Sequence, residues 1–256
     1  MPSILTMSNI KARFLIISDT YASPSLLSSL STMPVDVIIH CGNLTQESKL
    51  SEFASALAFF KAINGPLKLV IPGSHDFTLD DAVYETKITE TATNLRIKKK
   101  EEIYKTYGKK GQARQLLCSE QAKKDGIFFL DEGRHHFALG NGASLSVYAS
   151  PYTPRASSDD DDDDDDYQGQ GNKNWSFQYT KSQGHVFDIG YSADVVITHG
   201  PPLGVLDVTA ASDPKTHAGC PFLFAAVAMA RPRLHCFGHV PAGWGAKIVR
   251  WRDRPA

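Results

Sequence analysis

The chain has 256 residues, of which 42% are hydrophobic and 21% charged, and its formal net charge is −1. This length supports a substantial core, and the composition is typical of a soluble globular protein. No apolar run approaches the roughly 20 residues that span a bilayer, and the first residues lack the layout of a secretory signal. The four cysteines are far apart and form no CxxC pair, so we expect reduced thiols, a cytoplasmic location and no membrane partner.

The first third of the chain alternates apolar runs with a helical pattern. The first run leads directly into Asp19 and predicts a strand buried on both faces. Proline at position 24 predicts the start of a short helix, and apolar residues at helical spacing predict a longer one from Leu50. The strand–helix–strand order favours parallel pairing. The predicted strands are 14–17, 35–41 and 67–71, and the predicted helices are 23–30 and 50–63.

The middle of the chain changes in character. Residues 78–125 are polar and predict a region that is helical in parts. Short apolar runs follow at 127–130, 135–139 and 144–148, and glycine and asparagine separate the last two. This pattern predicts an antiparallel meander with a hairpin turn at 140–142.

An unbroken run of eight aspartates occupies residues 159–166. Like charges repel one another and cannot bury a core, so we expect a disordered acidic insertion at 155–173 within a single domain spanning 1–256. A Ca²⁺ site or a basic partner remains an alternative to a solvated loop, and the sequence names no protein partner. The rest of the chain is mildly basic, which suits either phosphate-bearing ligands or simple solubility.

The end of the chain returns to buried strands, predicted at 194–198, 234–237 and 246–251. Proline opens a predicted helix at 221–230. Across the chain, buried strands repeatedly end in a polar residue, and strand ends can converge on one sheet edge. Carboxylate, amide and imidazole groups are ligands for hydrolytic divalent or trivalent metal ions. These polar strand ends are Asp19, Asn43, the stretch 74–76, His199 and His239.

The order and spacing of these positions resemble the calcineurin-like metallophosphoesterase family. Its motifs D-x-H, G-D, G-N-H-[DE], H-G-P-P and G-H-x-H correspond here to residues 19–21, 42–43, 73–76, 199–202 and 238–241. Residues 150–154 and 197–204 resemble in particular the branch that contains the metallophosphoesterase-domain proteins. The resemblance covers about residues 13–249. It implies a four-layer α/β/β/α sandwich of two mixed sheets flanked by helices.

The resemblance also implies roles for single residues. In the family, two metal ions share a bridging aspartate and a hydroxide that attacks phosphorus, and a histidine acts on the leaving group. Carried over, His75 would be the catalytic residue, and Ser74 and His75 would contact the substrate. The implied metal ligands are Asp19, Asn43, His199 and His239.

Four positions depart from the family pattern. Tyr21, Asn43, Ser74 and Pro241 stand where the family has His, the bridging Asp, Asn and His. We therefore expect the first metal site to be lost and at most one divalent ion (Mn, Fe or Zn), or none, to bind. Tyr21 is either a phenolate ligand, which needs a strongly acidic ion such as Fe³⁺, or a side chain that fills the vacated space.

Two functions of different classes are compatible with this pattern. The first is a metal-dependent phosphoesterase or phosphodiesterase of weak activity, acting on a phosphate-bearing small molecule or nucleotide. It would use one ion at His199 and His239, with His75 as acid. The second is a pseudoenzyme that binds a phosphate-bearing ligand or a protein and turns nothing over.

Overall fold

The computed structural model describes residues 10–23, 34–97, 99–155, 175–180, 182–209 and 217–251. The predicted helix at 23–30, apart from its first residue, and the aspartate run lie outside these residues. The strands are β1 (Phe14–Ile17), β2 (Val37–His40), β3 (Leu67–Val70), β4 (Ile127–Phe129), β5 (Gly133–Ala138), β6 (Ser144–Ser150), β7 (Thr153–Pro154), β8 (Gln178–Tyr179), β9 (Val195–Thr198) and β10 (Leu234–Cys236). The helices are α1 (Leu50–Ala62), α2 (Tyr84–Asn94), α3 (Lys100–Tyr107), α4 (Gln112–Leu117), α5 (Glu120–Lys124) and α6 (Pro221–Ala230).

The first sheet has the order β1-β2-β3-β4, and all of its pairs are parallel. The parallel pairing predicted for the first three strands is confirmed. The placement of β4 in an antiparallel meander is wrong, because β4 pairs parallel with β3. Helices α2 to α5 supply the long crossover that a parallel neighbour requires, and they return the chain to the same end of the sheet.

The second sheet is mixed and has the order β10-β9-β6-β5. The predicted hairpin is confirmed, since β5 and β6 pair antiparallel around a turn at 139–143. The strand predicted at 246–251 is wrong: this segment has no regular structure and Ile248 is 91% exposed. Glycines precede it, and Trp251 packs against the cluster beneath α6 instead of joining a ladder.

Apolar clusters join the sheets to each other and to the helices. One lies between the two sheets and contains Ile39 of β2 and Val147 of β6. A second, with Phe53, packs the other face of the first sheet against α1, α4 and α5. A third packs Val196 of β9 against Leu223 of α6. The predicted α/β fold with helices flanking the sheets is therefore confirmed. Among the described residues, no helix has the length and apolar character needed to cross a membrane.

Strand β1 is less buried than predicted. It is the outer strand of the first sheet, its residues are mostly half-buried, and Ile16 is 44% exposed. An edge strand has one ladder neighbour and less cover, so the expectation of burial on both faces is wrong. The strand still delivers Asp19 to the end of the sheet where β2 and β3 also terminate.

Candidate functional site

The loops after β1 and β2 are tied together and hold unusual backbone conformations. The N–H of Asp19 donates to the carbonyl of Gly42 at 2.9 Å, and the N–H of Tyr21 donates to that of Asn43 at 3.2 Å. Asp19, Tyr21 and Asn43 all have φ between 50° and 57°, and His239 has φ of 71°. Left-handed conformations in non-glycine residues cost energy and concentrate at functional sites. These four residues are all at positions that the sequence singled out.

The side chain of Asn43 is the centre of the site's hydrogen-bond network. Its Nδ2 donates to Oδ1 of Asp19 at 2.7 Å, and its Oδ1 accepts from the backbone N–H of His75 at 2.9 Å. The hydroxyl of Ser74 lies 3.4 Å from the same Oδ1. Because a backbone N–H can only donate, the amide oxygen must face His75 and the NH₂ group must face Asp19.

Tyr21 joins this network at the same carboxylate oxygen of Asp19 that Asn43 contacts. Its hydroxyl lies 3.5 Å from Oδ1 of Asp19 and 3.4 Å from Nδ2 of Asn43. Burial and the nearby Asp19 charge raise the pKa of Tyr21 to about 12. The phenol is therefore protonated at neutral pH and donates to the carboxylate. This geometry favours the space-filling alternative for Tyr21 over a phenolate ligand.

Two histidines from the second sheet face the same carboxylate. Nδ1 of His199 lies 2.8 Å from the carbonyl of Cys41 and must carry the proton, so its Nε2 is an open acceptor 3.4 Å from the Ser74 hydroxyl. The rings of His199 and His239 lie 4.8 Å apart. Burial lowers the pKa of His199, and burial together with His199 lowers that of His239 to about 3. Both rings are therefore neutral at pH 7.

The charge at the centre of the site belongs to Asp19. Burial raises its pKa, but His199 and hydrogen bonds from Ser18, the His239 N–H and Asn43 outweigh burial and lower it overall. The His239 N–H donates to Oδ2 at 3.0 Å. Because both histidines are neutral, the centre carries a net negative charge at neutral pH.

His75 lies at the rim of the site between two aromatic rings. Its ring centroid is 5.1 Å from that of Tyr21 and 4.5 Å from that of Trp175. Its Nδ1 is 2.9 Å from the carbonyl of Gln46. Trp175 was missed in the sequence, although an aromatic residue directly after a polar insertion was an available signal.

Two further residues shape the loops beneath the site: Asp76, which the sequence placed among the polar strand ends, and His40, which the sequence analysis missed. Asp76 is fully buried and accepts hydrogen bonds from the N–H groups of Leu44, Thr45 and Gly73 at 2.8–3.1 Å. His40 is buried and its Nε2 lies 3.0 Å from the Thr20 hydroxyl. Asp76 thereby joins the loops after β2 and β3, and His40 supports the loop after β1.

Glycine is required where the loops meet most closely. A Cβ on Gly42 would lie 2.5 Å from Nδ1 of His199 and 2.7 Å from the carbonyl of Pro72. A Cβ on Gly73 would lie 2.5 Å from Oδ1 of Asn43. Gly42 also has φ of 101°, which side chains rarely adopt.

The residues at this edge do not fit a two-metal centre. Both oxygens of Asp19 and the amide oxygen of Asn43 already accept hydrogen bonds, and Asn43 turns its NH₂ group towards the carboxylate. Pro241 begins a short 3₁₀ turn, is exposed and has no donor side-chain atom. Within the described part of the chain, no three His, Cys, Asp or Glu side chains form a group that could hold a metal ion.

The structure thus brings the predicted site residues together on an α/β scaffold, at the ends of parallel strands from two sheets. The family model for calcineurin-like phosphoesterases matches residues 12–243, and the chain belongs to that family.

Three curated proteins are similar to nearly the whole chain. Human and mouse metallophosphoesterase domain-containing protein 1 are each 26% identical over 91% of this chain and 61% of their own length. A protein of Emericella nidulans named "Probable rhamnogalacturonate lyase C" is 27% identical over 93% of this chain and 18% of its own length. The chain therefore spans less than two thirds of each of these relatives.

Proposed function

We propose that this chain is a catalytically inactive member of the phosphoesterase family that binds a phosphate-bearing ligand or a protein partner. The observation that carries the proposal is the orientation of Asn43, whose NH₂ group points at Asp19 from 2.7 Å. A bridging ligand must offer electron pairs to two cations, whereas an NH₂ group offers protons. The family's bridging position therefore carries a hydrogen-bond donor, the NH₂ group of Asn43, in place of a metal ligand.

The neighbouring substitutions support the same proposal. The Tyr21 phenol donates to Asp19, where the family's histidine would offer a lone pair. Removing a bridging carboxylate also removes the negative charge that offsets repulsion between two close cations. In place of metal ions, the hydrogen bonds from Asn43 and Tyr21 stabilise the Asp19 carboxylate.

A single-ion hydrolase is the second candidate. The open Nε2 of His199 and the adjacent ring of His239 favour it, because imidazole nitrogens suit Mn, Fe or Zn ions. His75 would then hold or deliver a proton at the leaving group. Its position at the rim, beside Trp175, is compatible with contact to a bound ligand.

The location and partners of the protein are also part of the proposal. The four cysteines are free, which fits a reducing compartment such as the cytoplasm. A phosphate-bearing small molecule or nucleotide is the expected ligand class by family.

Metal analysis and turnover distinguish the two candidates. The purified chain is analysed for bound metal and assayed with a generic phosphodiester in the presence of Mn²⁺. We expect no stoichiometric metal and no turnover, and activity only when Tyr21→His, Asn43→Asp, Ser74→Asn and Pro241→His are combined. Turnover by the unaltered chain that is lost in both His199→Ala and His75→Ala would overturn the pseudoenzyme proposal and establish the single-ion hydrolase.

A further inference from the structure

Helix α6 is apolar on all sides but lies at the surface. None of its ten residues has a polar side chain, and only Leu223 and Val227 are buried. Phe222 and Phe224 are 46% and 45% exposed, and Met229 is 60% exposed. A helix that is apolar all round is normally buried, whereas a surface helix normally turns polar residues outward. The outer side of α6 therefore has the composition of a surface that another body covers.

The irregular segment that follows the 3₁₀ turn borders α6 at both of its ends. At the first end a loop lies between them: the N–H of Leu203 donates to the carbonyl of Cys220, which directly precedes α6, at 3.1 Å. A Cβ on Gly245 would lie 3.6 Å from a methyl group of Leu206 in the same loop. At the other end, Trp251 packs against the cluster beneath α6. The segment and the helix therefore belong to one region of the surface.

Residues 244–250 add large exposed apolar side chains to this region. Trp244 is 94% exposed and Ile248 is 91% exposed. With about 200 Å² for a fully exposed large side chain, these two and the three exposed residues of α6 present roughly 650 Å² of mostly apolar surface. The largest apolar patch on a typical monomer covers about 300–600 Å², and patches of this size often mark interaction sites. The region therefore indicates an apolar partner.

The same region is basic. Residues 217–251 contain no aspartate or glutamate, and they contain four exposed cations, which are Arg231, Arg233, Lys247 and Arg250. Lys247 and Arg250 lie in the same short segment as Trp244 and Ile248. Asp207 of the adjoining loop is 1% exposed and accepts hydrogen bonds from backbone N–H groups. This combination of apolar and cationic side chains fits a partner that is both apolar and anionic.

We propose that this face, named here the basic apolar face and defined by Phe222, Phe224 and Met229 together with residues 244–250, lies on a membrane surface that contains anionic lipids. Tryptophan and phenylalanine side chains enter the boundary between headgroups and acyl chains, and lysine and arginine contact the anionic headgroups. The sequence-based expectation of no membrane partner rests on the absence of a spanning run. A face that lies on a bilayer does not need such a run.

A second copy of the chain fits the basic apolar face less well. A two-fold interface brings the same patch of both copies together, so the cations at Lys247 and Arg250 would meet a surface that is also basic. Residues 217–251 offer no carboxylate to pair with them. A lipid surface instead supplies both anionic groups and apolar chains, and it adapts to a protruding side chain such as Trp244.

The proposal goes beyond the proposed function and does not depend on it. The basic apolar face contains none of the candidate site residues, so binding to lipid is independent of metal and turnover at Asp19. The cytoplasmic leaflet of membranes carries anionic lipids, which agrees with the expected reducing compartment.

The first test is co-sedimentation of the full chain with vesicles of equimolar phosphatidylcholine and phosphatidylserine, compared with vesicles of phosphatidylcholine alone. We expect saturable binding to the mixed vesicles that weakens as salt is raised. Lys247→Gln combined with Arg250→Gln should weaken this binding by about 30-fold at low salt. Lys105→Gln combined with Lys109→Gln is the matched control, because both lysines are exposed outside the face, and it should bind like the unaltered chain.

The second test removes apolar surface and leaves the charge unchanged. Met229→Gln should weaken binding to the mixed vesicles by about tenfold or more, and glutamine is a good helix former, so α6 should persist. Leu95→Gln is the matched control, since Leu95 is 55% exposed and lies outside the face, and it should leave binding unchanged. Trp244→Gln should weaken binding similarly. The melting temperatures of all these variants should match that of the unaltered chain, which shows that weaker binding does not come from unfolding.

Four results would overturn the proposal. They are no binding to either kind of vesicle, binding that neither the charge changes nor the apolar changes weaken, and binding as strong to phosphatidylcholine alone as to the mixed vesicles. The fourth is a dimer in sedimentation equilibrium that Met229→Gln dissociates, while the unaltered chain does not bind vesicles, which would assign the face to a second copy. None of these results bears on the proposed function, which metal analysis and turnover test separately.

Discussion

Restoring the family's bridging carboxylate alone should destabilise the protein. Asn43→Asp replaces the NH₂ group 2.7 Å from Oδ1 of Asp19 with a second carboxylate oxygen. The change removes a hydrogen bond to a charged group and brings two like charges together. The His75 N–H can still donate to the other oxygen, so the loss is confined to the side that faces Asp19.

The size of the effect follows from these two terms. A hydrogen bond to a charged group contributes about 1.5–3 kcal/mol. Two unit charges about 4 Å apart interact by about 4 kcal/mol at an effective dielectric constant of 20, and proton uptake by the pair limits that cost. We therefore expect the free energy of unfolding to fall by about 3–5 kcal/mol in EDTA near neutral pH. This corresponds to a melting temperature roughly 6–20 °C lower.

Thermal and urea unfolding of the variant, in EDTA and in Mn²⁺, tests this reasoning. Asn64→Asp is the matched control, since Asn64 is exposed in the loop after α1 and should change stability by less than about 0.5 kcal/mol. Mn²⁺ should restore part of the stability of Asn43→Asp, because a cation offsets the paired carboxylates. An Asn43→Asp variant as stable as the unaltered chain in EDTA would refute the proposed donor role of Asn43.

Three further changes test other parts of the scaffold. Asp76→Ala leaves buried N–H groups of two loops unpaired and should cost about 3–5 kcal/mol in urea unfolding; a loss below about 1 kcal/mol would contradict its bridging role. Gly42→Ala should cost several kcal/mol, about 2 or more beyond Gly111→Ala, because both glycines have positive φ but only Gly42 is crowded; equal losses would contradict that packing. Burial raises the pKa of Glu132, but hydrogen bonds from a histidine, a serine and a tyrosine outweigh it and lower the pKa. Its stabilisation is therefore complete above the unfolded pKa of about 4.3 and lost as the pH falls through the folded value, so Glu132→Gln should be less stable at neutral pH and equal at low pH. A constant difference across a pH titration of unfolding would contradict this.

The sequence was sufficient to identify the polar residues at strand ends, although these ends belong to two sheets and not to one sheet edge. Apolar runs that end in Asp19, Asn43 and His199 identify strand ends, and parallel pairing brings such ends together. Both steps depend on local pattern and on a topological rule with few exceptions, and the structure follows both.

The sequence was insufficient where pairing depends on distant parts of the chain. The composition of the run at 127–130 suits a strand in either sheet. Only the crossover through the preceding helices makes it a parallel partner of β3. The segment at 246–251 has strand-forming residues but lies exposed, because Trp251 packs beneath α6. Propensity alone does not decide either case.

The orientation of Asn43 was also beyond the sequence. The sequence shows that asparagine stands where the family has aspartate. The direction of its amide, however, depends on the backbone N–H of His75, thirty-two positions away. The same holds for Trp175, whose contact with His75 requires the chain to return past the acidic insertion. Side-chain orientation at a site depends on loops that sequence pattern does not position.

The strained backbone at this edge indicates what the substitutions preserve. Asp19, Asn43 and His239 keep left-handed conformations that cost energy unless the surroundings hold them. Here Asn43 bonds to both Asp19 and His75, and the His239 N–H bonds to Asp19, so hydrogen bonds join these loops. An alanine at position 43 would supply neither bond. Asn43 therefore maintains the shape of the site by hydrogen bonding, which supports the proposal that the surface is kept for binding.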